Sequence, residues 1–113
     1  MYSLEYFTRY NGEQPVADWL DNYLDDKQRP VIMAKIDCFE REGLKLINTN
    51  MLKRIQGEHD LYELRGGKCR VVVFHDRVKE KFVMLYGFMK KRPREPGEID
   101  EAKRMLDEYL LNQ

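Results

Sequence analysis

Two short cationic runs carry the chemistry that this sequence announces: Arg65-Gly66-Gly67-Lys68-Cys69-Arg70 and Lys90-Lys91-Arg92-Pro93-Arg94. Both side-chain types bind phosphate. The planar guanidinium takes two oxygens at once, and the ammonium acts as a compact point charge. From Arg65 to Arg94 there are ten Lys or Arg against two acids, Asp76 and Glu80, a local charge of +8. The whole chain is formally +0, so the other 83 residues carry −8. A charge run alone usually marks solvated surface. Here the cations gather at the ends of apolar stretches, acids are nearly excluded, and a Gly-Gly pair lets backbone approach a ligand. Together these features predict an electrostatic footprint for phosphate.

The elements that must hold these runs follow from periodicity. Tyr2–Tyr10 alternates loosely as a strand, and Asn11-Gly12 is a turn signal. A helix starts near Gln14–Pro15 and buries Val16, Trp19, Leu20, Tyr23 and Leu24 at helical spacing, with Trp19 as core anchor. Asp25-Asp26 is a solvated turn. A second helix spans about Lys27 to Arg41, with Ile36 and Phe39 on its apolar face and Gly43 as its stop. Residues 44–60 read as irregular, pinned by Leu52 and Ile55. Three strands follow: Leu61–Arg65, Cys69–His75 and Lys81–Phe88. The first two join through a Gly66-Gly67 hairpin turn, and the second and third through Asp76-Arg77. The apolar run Val71–Phe74 suits a central strand covered on both faces. A last helix runs from Gly97 or Glu98 to Leu111 and buries Ile99, Ala102, Leu106, Tyr109 and Leu110. The order β-α-α-β-β-β-α predicts an α+β fold, a small antiparallel-rich sheet packed against helices.

Length and composition set the bounds. The 113 residues suit one domain, 1–113. Hydrophobic content of 42% and charged content of 35% fit a folded soluble chain. No stretch approaches a membrane span, and the N-terminus lacks the features of a signal peptide, so a cytoplasmic location is expected. Cys38 and Cys69 lack motif spacing and read as reduced, half-buried fillers. Two Cys and two His at these positions offer no zinc-site spacing, so neither metal nor cofactor is expected.

The combination of Leu61-Tyr62-Glu63-Leu64-Arg65, Arg70-Val71-Val72-Val73-Phe74 and Leu85-Tyr86-Gly87-Phe88-Met89-Lys90-Lys91, followed by Pro96 and the Ile99/Ala102 helix, resembles the RelE/ParE toxin superfamily. The resemblance is nearest to its HigB-like, phage-derived branch and covers nearly the whole chain. It implies a RelE-like fold and the toxin of a type II toxin–antitoxin system. It also implies a cognate helix-turn-helix antitoxin, and the ribosome and mRNA as targets. RelE-like and HigB-like members cleave mRNA without a metal, using the RNA 2′-hydroxyl, whereas ParE-like members act on gyrase. A non-catalytic binding protein or a gyrase-inhibiting toxin on this fold is therefore the alternative.

Cleavage by a 2′-oxygen builds negative charge on a phosphorane and on the leaving 5′-oxygen, which fixed cations must meet. Arg65 and Arg70 match basic strand positions of the RelE-type pattern, and Lys90 or Lys91 matches the third. Arg70 and Lys90/Lys91 are assigned to phosphate and transition-state charge, and Arg65 to binding or support. Lys68, Arg92 and Arg94 are assigned to further RNA contacts. Arg70 is expected to be exposed and cheap to remove. Acid–base candidates are His75, at a strand end, and Glu63; His59 is weaker. Glu63 reads better as a structural ion-pair partner of Arg65 or Arg70. By the resemblance, it stands where RelE-type enzymes can carry a basic residue. The family's C-terminal tyrosine also has no clear counterpart, since Tyr109 reads as core and Tyr86 as strand.

Overall fold

The computed structural model describes residues 1–112. Its elements are β1 (Leu4–Tyr6), α1 (Pro15–Asn22), α2 (Gln28–Glu42), a 3-10 segment (Gly43–Asn48), β2 (Leu52–Arg54), β3 (Leu61–Gly66), β4 (Cys69–Asp76), β5 (Lys81–Met89) and α3 (Pro96–Leu111). Five strands form one sheet in the order β1-β5-β4-β3-β2. All neighbours are antiparallel except β1, which lies parallel to β5. The result is the expected α+β fold, consistent with a RelE-like architecture. No helix among the described residues is long and apolar enough to cross a membrane.

Pleating sends alternate residues to opposite faces. On one face Leu64, Val71 and Met84 pack against Trp19 of α1 and Ile36 and Phe39 of α2. On the other, Leu61, Val72 and Leu85 pack against Ala102, Met105 and Tyr109 of α3. The central strand β4 is therefore covered on both sides, which explains its unbroken apolar run. A buried hydrogen bond from the Tyr109 hydroxyl to Asp76 Oδ2, 2.7 Å, ties the end of α3 to the end of β4.

Several local expectations need correction. The 44–60 stretch holds the 3-10 segment and the edge strand β2, whose Leu52 is fully buried. The opening strand is only three residues long. Tyr23 is 78% exposed because α1 ends at Asn22, so helical spacing no longer applies there. On α3, Met105 is buried and Leu110 is half exposed. Asp25 does more than mark a turn, for its Oδ1 accepts the Lys27 and Gln28 amides at 2.9 and 2.7 Å, where α2 begins.

Candidate nucleic-acid interface

The first cationic run is organised by its turn. Gly66 pairs with Cys69, so the two turn residues are Gly67 and Lys68, one position later than expected. Gly67 has φ +59°, a conformation that favours glycine. This register makes Arg65 and Arg70 direct cross-strand partners. Like charges so placed destabilise a sheet unless a counter-charge stands by. Glu63 supplies it: its Oε1 lies 2.8 Å from Arg65 Nε and 3.5 Å from Arg70 Nε.

Arg70 is only 9% exposed, against the expectation of a free surface side chain. Its Nη1 donates to the Gly67 and Cys69 carbonyls at 2.7 and 2.9 Å, which fixes the guanidinium against the turn. Its Nε is buried without a hydrogen bond. Burial lowers the guanidinium from its ordinary value, Glu63 opposes that, and Arg65 adds to it. Arginine nevertheless stays protonated. A fixed, poorly solvated cation interacts strongly with an incoming phosphate.

The second run is brought alongside by β5. Leu85 is an extra residue between the pairs Val72–Tyr86 and Val73–Met84. This bulge turns Tyr86 and Phe88 onto the face already occupied by Val83 and Leu85. Phe88 then sits opposite Arg70. Beyond the last pair, Cys69–Met89, the Lys90 amide donates to the Lys68 carbonyl at 2.8 Å. Glu95 Oε1 accepts the Lys91 and Arg92 amides at 2.9 and 2.7 Å, holding the segment that follows.

Between the turn and this segment lies an open groove of about 770 Å³. Lys68, Arg70, Lys90, Lys91 and Arg92 line it, and no carboxylate does. An adjoining cleft of about 760 Å³ shares Lys90 but is mixed in charge: Arg65 and Arg94 line it together with Glu58, Glu63, Glu95 and Asp100. Lys53 of β2 also lines this cleft, a cation hidden in the stretch read as irregular.

The acid–base candidates are not gathered into the groove. Glu63 is bound to Arg65 in the neighbouring cleft. His75 stands five residues from Arg70 along β4, about 17 Å at ordinary strand rise. Its ring stacks on Phe82, with centroids 4.6 Å apart. His59 is exposed in the loop before β3. Tyr109 is buried in the core, as its helical spacing implied, and its hydroxyl donates to Asp76. Among the described residues, no group of three His, Cys, Asp or Glu is placed to hold a metal ion.

A family model described as "Phage derived protein Gp49-like" matches residues 18–107, from within α1 to within α3 and including the whole groove. No curated protein matches the chain.

Proposed function

The chain belongs to the Gp49-like family of phage-derived, RelE-like toxin proteins, and from that membership and the groove we propose that it is the toxin of a type II toxin–antitoxin pair. Its proposed activity is metal-free, ribosome-dependent cleavage of mRNA, which inhibits translation in the cytoplasm. The observation that supports this most is the carboxylate-free groove with five cations.

In this reading the RNA backbone lies in the groove and the RNA's own 2′-oxygen attacks the adjacent phosphorus. Arg70, immobilised by two carbonyls, meets the charge on the phosphorane. Lys90 and Lys91 meet the phosphate and the leaving 5′-oxygen. Lys68 and Arg92 extend the track along the backbone, and Arg94 continues it into the adjoining cleft. Arg65 supports the site through Glu63. That neither Glu63 nor His75 lines the groove favours one second reading, a binding protein without catalysis, including one that acts on gyrase.

The cognate partner is proposed to be a helix-turn-helix antitoxin. It would cover the cationic groove with acidic residues or dock on the acidic side chains of Asp18, Asp21, Asp25 and Asp26. Induced expression with mapping of mRNA ends tests the activity. New ends within translated frames, absent when the neighbouring gene is co-expressed, are the expected result. Growth arrest without new mRNA ends would transfer support to the binding-protein reading.

A further inference from the structure

A third cleft, about 680 Å³, opens beside the groove, and Met89, Lys91 and Arg92 line both. We propose that this cleft is a nucleobase pocket that selects guanine, so that one nucleotide places its phosphate in the groove and its base in the cleft. The inference rests on the phosphate-binding reading of the groove and adds to it a site for base recognition.

The floor of the cleft is an open strand edge. Four consecutive β5 residues, Tyr86 to Met89, line it. Alternate side chains point to opposite faces, so a run of four reaches one cleft through the strand's edge. That edge is open because β1 pairs only with Phe82, Val83 and Met84.

The walls are aromatic. Exposed Tyr23 stands on one side and half-buried Tyr86 on the other, while Trp19 lines the cleft as a core residue, 9% exposed and packed over Gly87. Splayed-out bases stack on such rings, whatever their identity. Tyr23 is 78% exposed, and packing within the fold gives no reason for a large aromatic there.

Selectivity comes from Glu98. It lines the cleft half-buried, with no hydrogen bond or ion pair among the described residues. Its carboxyl is pushed up by burial first and then by Glu95 and Glu101, with Lys91 opposing them. Glu95 also lines the cleft but lacks a free pair of oxygens, because its Oε1 already accepts two backbone amides. A carboxylate only accepts hydrogen bonds. The base edge with two adjacent N–H donors to match its two oxygens is N1–H and N2–H of guanine.

Trp19 is the only tryptophan, and it lines the cleft, so its fluorescence reports occupancy. The full-length protein is titrated at low salt with GMP, IMP, AMP, CMP and UMP. GMP should quench at about ten- to hundred-fold lower concentration than AMP, as a bidentate base contact provides, with IMP between them. Glu98→Gln should bring GMP to the level of AMP with an unchanged melting temperature. Tyr23→Ala should weaken all five alike, and Lys68→Ala should weaken all five while keeping the GMP preference. Equal binding of all five nucleotides, or a GMP preference that survives in Glu98→Gln, overturns the guanine pocket. If salt-sensitive RNA binding persists in that case, the phosphate groove stands without it. Loss of all RNA binding overturns both.

Discussion

Lys68 and Lys90 are locked side by side: the Lys90 amide donates to the Lys68 carbonyl at 2.8 Å, one step past the last pair of the β4–β5 ladder. Two cations 22 positions apart in sequence thus become neighbours on one groove, held by backbone and not by side-chain packing. Their side chains are free to meet phosphate without a fold to support.

That separation predicts a clean salt experiment. Lys68 and Lys91 are exposed, so Lys68→Ala with Lys91→Ala should change stability by less than about 0.5 kcal/mol. The slope of log affinity for single-stranded RNA against log salt should fall by roughly 1.4, two phosphate contacts' worth. An unchanged slope in the double variant would remove both lysines from the interface.

Glu63 distinguishes structure from catalysis. It stands between Arg65 and Arg70, so Glu63→Gln should destabilise the fold by on the order of 2 kcal/mol by leaving Arg70 without a counter-charge. RNA binding and cleavage should persist in the folded fraction. A stable variant that binds RNA but no longer cleaves it would make Glu63 the general base.

Arg70 needs a different substitution from the one its sequence position suggests. Removing a 9% exposed guanidinium takes the side-chain donor from the Gly67 and Cys69 carbonyls and leaves Glu63 paired with Arg65 alone. Arg70→Ala should therefore cost stability as well as activity. Arg70→Lys keeps the charge and loses the fork, so it should fold better and still bind RNA weakly. Comparing melting temperature and RNA affinity in the two variants separates the effects.

His75 sets a pH response. Burial, then Arg77, lowers its proton affinity, and its Nδ1 is buried without a partner. The folded state therefore binds this proton less readily than the unfolded chain, whose histidine titrates near about 6.5. Stability should be level above that pH and fall as pH drops below it. The slope should flatten in His75→Phe. An equal slope in both proteins would assign the response elsewhere.

How much of this was legible follows from the kind of signal each feature leaves. Alternation announced β3, continuous apolar runs announced β4 and β5, which are covered on both faces, and the 3.6-residue period announced the three helices. β2 left no such trace: three residues with only Leu52 buried make no period. Tyr23 fits a helical stripe that the chain leaves one residue earlier. The Leu85 bulge and the parallel β1–β5 pairing are properties of two strands at once, so neither strand alone reveals them. Both cationic runs were plain in composition, and the Glu63 ion pair was preferred on sequence grounds. The burial of Arg70 was hidden, because a charged residue just after a hairpin turn reads as surface until the turn's carbonyls are in place.

The most direct test of the central claim uses purified protein with ribosomes programmed by a defined mRNA, reading the chemistry of the ends produced. Attack by the RNA 2′-oxygen predicts cleavage that leaves a 2′,3′-cyclic phosphate and a 5′-hydroxyl, and that Lys90→Ala with Lys91→Ala abolishes in a folded protein. Intact mRNA with the wild-type protein bound to the ribosome, or cleavage leaving a 5′-phosphate, would contradict it.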